Sequence, residues 1–398
     1  MTKLDRLFTD CLAEGRFAGA SALVRQRGVL VWRGDFGFRD REKELNIDGD
    51  SIFRLASMTK PVIAAAVMIL AERGLLNIDD PVSRYLPAFA ELQAADRVVS
   101  FADVLEFDPE NPAVPRFNLQ KLEGIGTVPV CRPLTIRHLL GHCGGMGQGP
   151  YSNGIYDSGI RPDQTLAERV DWMARVPLDS QPGDCAGYSA GMGFDVLGRI
   201  VELVSGKNLN RFIQEEICGP LQIRDLGYAL TPEQRERLAR LYEAENGQLR
   251  DVTDSEPSWQ IVDPLPRGYY SGSAGMLGSL NAYDRFASML LGGGELDGVR
   301  ILRPETVAAM AVNSSPKKLE MSPGIGWGLG MIVHEDPRRS GRHVSPGSFG
   351  WSGRYGCHFF LDPVRQISAV MTMGVSNIGG ADSPIARAFE DAIWEEFS

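Results

Sequence analysis

Two short patterns in the chain each offer a nucleophilic serine. Residues 57–60 read SMTK, an S-x-x-K pattern that sets Ser57 three residues ahead of Lys60. Residues 187–191 read GYSAG, a G-x-S-x-G pattern centred on Ser189. A serine hydroxyl becomes a good nucleophile only when a neighbouring base takes its proton. Since one active site needs one such serine, the residues around each pattern must decide between them.

The GYSAG pattern lacks part of the local structure that a nucleophile elbow needs. In α/β-hydrolases the elbow joins a buried strand directly to a helix. Here a helix-forming segment follows the pattern, but the turn sequence PGD at 182–184 precedes it. The order of a triad through His343 or His358 is not excluded. Without the strand, we interpret GYSAG as a glycine-flanked loop in which Tyr188, rather than Ser189, carries function.

The SMTK pattern opens a strongly apolar segment that predicts a helix over 57–74. Residues three apart share a helix face, so Ser57 and Lys60 point the same way from the first turn. The helix N-terminus adds free N–H groups and partial positive charge beside the serine. A lysine acts as a base only where desolvation or nearby positive charge favours its neutral form. On these residues alone, a capping serine with a solvent-exposed lysine fits as well.

The S-x-x-K spacing occurs twice more, inside NSSPKK at 313–318. An internal proline and two lysines there predict a surface turn. Two histidines, His138 and His142, stand four apart as in zinc-binding helices, but residue 139 is Leu and the glutamate of that motif is absent. We interpret them as a helix end that runs into a glycine-rich turn, and we expect no metal and no cofactor.

Composition and charge restrict the possible partners. The chain has 398 residues, 43% hydrophobic and 23% charged, as in ordinary globular proteins with ample core. Its net charge of −10 is spread without a basic run, which argues against nucleic acid and anionic membrane surfaces. The longest apolar run, at 61–71, is too short to span a bilayer. Six scattered cysteines and no apparent signal peptide favour a cytoplasmic protein.

The elements that must position these residues are strands near both ends of the chain and helices between them. A hairpin is predicted over 19–38, and strand-like segments return from about residue 325. This pattern predicts one sheet domain built from residues 1–80 and 271–398, and a mostly helical domain over 81–270. We expect the active site at the seam of the two domains.

Three motifs in order make nearly the whole chain resemble serine β-lactamases and penicillin-binding proteins. SMTK matches the first motif, YSA at 188–190 takes the place of Y-x-N, and WSG at 351–353 takes that of K-T-G on a sheet-edge strand. The resemblance implies an α+β fold of the β-lactamase/DD-peptidase type. That fold has an antiparallel sheet flanked by the N- and C-terminal helices, together with a mostly helical domain.

Two departures from these motifs narrow the resemblance. Ala190 replaces the asparagine of the second motif, and Trp351 replaces the cation of the third, which helps to hold a substrate carboxylate. A tryptophan offers an apolar wall instead of an ion pair. This combination resembles the family VIII carboxylesterases, the esterase branch related to class C β-lactamases. That branch also carries a G-x-S-x-G pattern outside its active site.

The resemblance implies a two-step acyl transfer with Ser57 as the nucleophile. Lys60 and Tyr188 would act as a coupled base, and which of them accepts the proton stays open. The oxyanion would be held by the backbone N–H groups of Ser57 and Arg354. Further substrate contacts are expected from these residues: Trp351, Ser352, Gly353 and Tyr151. For Tyr151, packing is an equally good interpretation.

The resulting hypothesis is a serine carboxylesterase for small, uncharged, short-chain acyl esters. Within the same fold, the alternatives are a β-lactamase, a D-amino-acid peptidase or amidase, and an acyltransferase. A catalytically silent binding protein is an alternative of another class. The expected partner is a small-molecule ester, and the sequence leaves the oligomeric state open.

Overall fold

The computed structural model describes residues 1–108, 111–255, 268–316 and 318–397. The helices are α1 (Lys3–Ala13), α2 (Thr59–Glu72), α3 (Phe101–Val104), α4 (Ile136–Leu140), α5 (Pro150–Ser158), α6 (Leu166–Met173), α7 (Gly193–Ser205), α8 (Leu209–Ile213), α9 (Pro232–Glu236), α10 (Leu280–Leu291), α11 (Pro304–Met310), α12 (Pro337–Ser340) and α13 (Pro384–Glu396). The strands are β1 (Gly19–Gln26), β2 (Val29–Asp40), β3 (Leu45–Asn46), β4 (Ile52–Arg54), β5 (Gln93–Ala95), β6 (Leu105–Asp108), β7 (Asn111–Phe117), β8 (Thr127–Pro129), β9 (Leu226–Gly227), β10 (Tyr242–Glu245), β11 (Gln248–Asp251), β12 (Leu277–Ser279), β13 (Glu295–Leu296), β14 (Val299–Arg300), β15 (Glu320–Ser322), β16 (Ile325–Trp327), β17 (Ile332–His334), β18 (Ser348–Ser352), β19 (His358–Asp362) and β20 (Ile367–Met373).

The two ends of the chain build one antiparallel sheet. Within the described ranges its order is β15-β16-β17-β18-β19-β20-β1-β2-β3. Strand β1 pairs with β2 in the predicted hairpin and with β20 on its other side, so N-terminal and C-terminal strands meet at the centre. Every pairing in this sheet is antiparallel. The predicted α+β architecture, with one antiparallel sheet built from both ends of the chain, is therefore confirmed.

Both faces of the sheet are covered by helices. Successive side chains of a strand point to opposite faces. Ala22 and Val24 of β1 accordingly pack with helices α1 and α13, whereas Leu23 between them belongs to the larger core on the other face. Phe8 of α1 and Phe389 of α13 are fully buried, and their ring centroids lie 5.9 Å apart. Each such burial stabilises the fold by about 1.5–3 kcal/mol.

Helix α2 runs through the larger core. All its residues from Thr59 to Leu70 are buried, as expected of a helix that is apolar all round. A short 3₁₀ turn, Ala56–Met58, precedes it, so the regular helix is slightly shorter than the predicted 57–74. Gly330, with a φ of +84°, passes so close that a Cβ there would lie 2.6 Å from Cβ of Ala64. Only glycine permits both that φ and that approach.

Short elements fill residues 81–270. Helices α3 to α9 alternate there with small antiparallel pairs, such as β5 with β8 and β10 with β11. The division into a sheet domain of residues 1–80 and 271–398 and a second domain of 81–270 stays a prediction. Of the helices in the described ranges, none combines the length and the apolar composition needed to cross a bilayer.

Candidate active site

Three of the predicted site residues come together at the start of α2. Oη of Tyr188 lies 2.5 Å from Oγ of Ser57, although the two residues are 131 positions apart in sequence. Nζ of Lys60 lies 3.3 Å from the same Oγ. Lys60 is fully buried, whereas Ser57 and Tyr188 keep partial access to solvent. The serine hydroxyl is thus placed between a phenol and an amine, either of which can exchange a proton with it.

The turn that carries Ser57 is strained and firmly held. Ala56, directly before it, has a φ of +45°, in the left-handed region that costs a residue with a Cβ roughly 1–3 kcal/mol. Directly after it, the carbonyl of Met58 accepts a hydrogen bond of 2.9 Å from Oη of the buried Tyr283. Strain of this kind persists only where the surroundings fix the backbone. The position of Ser57 is therefore set by tertiary contacts as well as by the helix.

The amine of Lys60 has three acceptors. Besides Oγ of Ser57, Nζ donates to the carbonyls of Ala190 and Ser273, each at 2.8 Å. An ammonium has three protons to donate, so this set of acceptors uses all of them. Nζ also lies 4.9 Å from the ring centroid of Tyr188. An ammonium group at this distance would stabilise a phenolate form of Tyr188.

A buried carboxylate holds the loop that supplies one of these carbonyls. Asp195, in the first turn of α7, accepts hydrogen bonds from Oη of Tyr269 at 2.7 Å, from Oγ of Ser271 at 2.8 Å and from the N–H of Ser273 at 2.9 Å. Burial raises the pKa of Asp195, and these three donors oppose that rise. The sequence analysis missed this residue. Its only signal is an acid at a helix start followed by an apolar run.

His142 packs against Tyr188 and binds the same loop. Nδ1 of His142 accepts a 3.1 Å hydrogen bond from the N–H of Ser189, and the His142 and Tyr188 ring centroids lie 5.1 Å apart. Burial, followed by the positive charge of Lys60, lowers the pKa of His142 well below its usual range, so the ring is neutral. The sequence analysis predicted the helix end correctly, since α4 ends at Leu140, but not this role.

Neither Ser189 nor the histidines considered for a metal site or a triad join the serine, lysine and tyrosine cluster through their side chains, except that His142 packs against Tyr188. In the described part of the chain, no three His, Cys, Asp or Glu side chains are placed to hold a metal ion. Ser189 is buried in a loop, and its hydroxyl accepts a backbone N–H at the start of α7. Of the histidines proposed for a triad with Ser189, His343 contacts Asp391 and His358 contacts Ser352.

Strand β18 brings the WSG motif to the site. The ring centroid of Trp351 lies 5.0 Å from that of Tyr188 and 4.8 Å from that of Trp327. The motif was expected on a sheet-edge strand, but β18 is not the outermost strand of the sheet, since β17 lies beside it. However, β17 is short and its pairing ends at Gly350. The last two residues of β18, Trp351 and Ser352, therefore have no paired residue in β17.

The end of β18 touches the turn that carries the serine. A Cβ on Gly353 would lie 2.2 Å from the carbonyl oxygen of Leu55, so only glycine allows this approach. Arg354 follows, with an exposed side chain whose Cζ lies 6.0 Å from the ring centroid of Tyr355. The close approach of Gly353 to Leu55 brings the backbone of the motif near Ser57. The oxyanion role of the Arg354 N–H stays a prediction.

Two further aromatic residues, Trp327 and the predicted substrate contact Tyr151, differ in exposure. Trp327 is fully buried, with its ring centroid 4.1 Å from that of His142, so it is part of the core behind Tyr188. Tyr151 lies in the first turn of α5 and is partly exposed. Burial raises the pKa of Tyr151, with smaller contributions from the charges of Asp96 and Asp179. Its predicted contact with substrate stays a prediction.

The antiparallel sheet and the serine, lysine and tyrosine cluster place the chain among the serine hydrolases of the β-lactamase and penicillin-binding-protein type. Comparison with known families agrees: the Beta-lactamase family profile matches residues 4–389. The chain therefore belongs to the Beta-lactamase family, as its motifs predicted.

Known relatives place the chain near the esterase branch of this family. Esterase EstB of Burkholderia gladioli is 30% identical over 422 residues, covering 98% of this chain and 94% of that protein. Protein Rv1367c of Mycobacterium tuberculosis is 31% identical over 372 residues, covering 89% and 84%. Among solved structures, EstCE1, a hydrolase with promiscuous acyltransferase activity, superposes with a TM-score of 0.77 at 26% identity, covering 98% and 97%. The predicted relationship to esterases of this fold is confirmed.

Proposed function

We propose that the chain is a carboxylesterase that hydrolyses small, uncharged esters through an acyl-enzyme at Ser57. The observation that carries the proposal is the hydroxyl of Ser57, placed 2.5 Å from Oη of Tyr188 and 3.3 Å from Nζ of Lys60. An activated serine of this kind supports covalent acyl transfer. The similarity to the esterase EstB extends over almost the whole chain and supports esters as the substrate class.

In the proposed acylation step, Tyr188 acts as a phenolate stabilised by the charge of Lys60, Oγ of Ser57 attacks the ester carbonyl, and the serine proton passes to Oη of Tyr188. The shorter contact favours the phenol over the amine as the acceptor, and the three acceptors around Lys60 favour its charged form. The C–O bond of the ester then breaks, and Tyr188 returns the proton to the leaving alcohol. In the second step, water attacks the acyl-enzyme and gives its proton to Tyr188. The bond to Oγ of Ser57 then breaks, Oγ takes the proton back, and the acid is released. General acid–base help of this kind contributes about 10²–10⁴ in rate.

The oxyanion of the tetrahedral intermediate would bind two backbone N–H groups, those of Ser57 and Arg354. The close contact of Gly353 with the carbonyl of Leu55 supports this pairing, because it holds the turn after β18 against the turn before α2. Each such donor is worth about 10²–10³ in rate. Both donors belong to the backbone, so side-chain substitution at Arg354 should leave the oxyanion contact intact.

Trp351 supports a preference for uncharged substrates. Its nearly buried ring stands beside Tyr188, at the position where the resemblance implies a cation in β-lactamases and cell-wall peptidases. A substrate carboxylate placed against the indole would lose its hydration without gaining an ion pair. An apolar acyl chain would instead gain contact with the ring.

The proposed substrate class can be tested with matched esters. We expect turnover of p-nitrophenyl acetate and butyrate, and much slower turnover of the p-nitrophenyl monoester of succinic acid, whose acyl group resembles butyrate but ends in a carboxylate. Nitrocefin serves as the β-lactam comparison. Equal turnover of the neutral and charged esters, or faster turnover of nitrocefin, would contradict the proposed preference. No turnover of any ester would favour the silent binding protein.

A second candidate activity is acyl transfer to an alcohol. It is favoured by the similarity to EstCE1, which combines hydrolase and acyltransferase activity. The same acyl-enzyme serves both reactions, and an alcohol replaces water in the second step. Added methanol would then divert p-nitrophenyl butyrate to methyl butyrate without changing the rate of p-nitrophenol release in the first turnover. Butyrate as the sole product at all methanol concentrations would exclude the transfer.

A further inference from the structure

A buried polar chain lies behind the strand that carries the WSG motif. Oγ of Ser352 lies 2.7 Å from Nδ1 of His358. Nε2 of the same ring lies 3.0 Å from Oε1 of Glu390 in α13, in a contact that is off the line of the N–H bond. The second carboxylate oxygen of Glu390 accepts a 3.0 Å hydrogen bond from Nε of Arg342. All four residues are buried, and none of them belongs to the proposed proton-transfer cluster.

This chain of contacts has the composition of a catalytic triad but not its accessibility. Ser352 is only 2% exposed, so its hydroxyl has no room to attack a substrate. Alternate residues of a strand face opposite sides of the sheet. Trp351 contacts Tyr188 on one side, and Ser352 faces His358 and the C-terminal helix on the other. A supporting role therefore fits Ser352 better than a nucleophilic one.

The charges around His358 keep its contact with Ser352 in place. Burial raises the pKa of Glu390, but the close contact with His358 and the charge of Arg342 outweigh it and bring the pKa to about 2. Glu390 is thus a carboxylate, and it favours a proton on the ring nitrogen that faces it, Nε2. A neutral ring then accepts the Ser352 proton at Nδ1. A charged ring donates from Nδ1 to Oγ, so the contact survives in both states.

Other charged groups around this chain are also paired or neutral. Asp382, before α13, accepts a 2.6 Å hydrogen bond from Nη1 of Arg342. His334 of β17 is buried as well, and burial lowers its pKa to about 4, so it is neutral at pH 7. The buried charges of Glu390 and Arg342 therefore balance each other, whereas Asp382 is half exposed and also pairs with Arg387.

We propose that Ser352, held by His358 and Glu390, is a positioning residue for the backbone of Gly353 and Arg354. Ser352 and His358 form the last paired rung between β18 and β19 before the turn that contains Arg354. Through His358, the Ser352 hydroxyl links this residue pair to Glu390 of α13. The link lies beyond Gly350, where the pairing of β18 with β17 ends. The inference rests on the proposed function, because the N–H that it positions is the proposed oxyanion donor.

The proposal predicts a loss of transition-state binding rather than of substrate binding. Ser352→Ala removes the hydroxyl and should lower kcat for p-nitrophenyl butyrate by about 10- to 100-fold, since small displacements of catalytic groups cost up to about 10² in rate. KM should change by less than about twofold, because the Ser352 hydroxyl contacts His358 rather than the side of the strand that faces Tyr188. The inhibition constant of butylboronic acid, which forms a tetrahedral adduct on a nucleophilic serine, should rise by the same factor as kcat falls.

Two further variants separate positioning from stability. Ser352→Thr keeps the hydroxyl and should restore kcat to within about threefold of the wild type. His343→Ala removes another contact between a histidine and α13, that of His343 with Asp391, at an exposed position. This control should leave kcat and boronate inhibition unchanged. If Ser352→Ala does not fold, the same measurements on His358→Asn, which keeps an amide beside Ser352, and on His358→Ala replace it.

The outcomes distinguish this inference from the function on which it rests. A folded Ser352→Ala enzyme with wild-type kcat and boronate inhibition would overturn the positioning role while leaving the esterase intact. So would a loss of kcat in His343→Ala as large as that in Ser352→Ala. A wild-type chain that neither turns over esters nor binds the boronate would instead overturn the proposed function itself.

Discussion

The phenol of Tyr188 offers the sharpest test of the proposed proton transfer. Tyr188→Phe removes Oη, which lies 2.5 Å from Oγ of Ser57, and keeps the ring that packs 5.0 Å from Trp351. If Tyr188 takes the serine proton, kcat/KM for p-nitrophenyl butyrate should fall by about 10²–10⁴. That loss corresponds to roughly 3–5 kcal/mol of transition-state stabilisation. Steady-state and single-turnover release of p-nitrophenol measure it.

Two controls make this test specific. Since the phenol is partly exposed and its ring stays in place, Tyr188→Phe should change the free energy of unfolding by no more than about 1 kcal/mol. Ser189→Ala, one residue further along, removes a buried hydroxyl that accepts the Gly193 N–H. This variant should keep kcat/KM within a few-fold of the wild type. An almost unchanged Tyr188→Phe enzyme together with an inactive Ser189→Ala enzyme would refute the reasoning and move the nucleophile to Ser189.

Two further predictions concern buried histidines. His142→Ala removes the acceptor of the Ser189 N–H and the ring beside Tyr188. We expect kcat to fall by about tenfold, and His142→Asn, which keeps an acceptor, should recover part of that loss. Equal kcat in both variants would contradict this role. Burial lowers the pKa of His334 from 6.5 to about 4, so the folded chain binds fewer protons than the unfolded chain between these values and loses stability as pH falls. Between pH 7.5 and pH 5, the titration of His334 should lower the free energy of unfolding, measured by urea titration, by about 2 kcal/mol. His334→Gln should remove this part of the pH dependence. If the variant loses as much stability between these pH values as the wild type, other groups cause the loss.

Much of the fold could be predicted from local sequence patterns. The hairpin of β1 and β2 follows from β-forming residues on both sides of Gly28, which has a φ of +78°. The apolar run after Ser57 predicts the buried helix α2, and its observed ends differ from the prediction by two residues on each side. Such patterns depend on neighbours along the chain, so the sequence contains them directly.

The supporting residues of the site could not be predicted in the same way. Asp195 meets Ser273 across 78 positions, and Ser352 reaches Glu390 only through His358, on another strand. No spacing rule links such residues, because the contacts exist only after the sheet and α13 have assembled. Local patterns also missed that β18 lies inside the sheet and not at its outer edge.

The central claim is that Ser57 is the reactive serine, and labelling tests it most directly. The wild-type chain would be treated with a fluorophosphonate probe and digested. The modified peptide would then be mapped by mass spectrometry. We predict a single adduct on Ser57, which Tyr188→Phe forms far more slowly and Ser189→Ala forms at the wild-type rate. An adduct on Ser189, or no adduct on any serine of the wild type, would contradict the account.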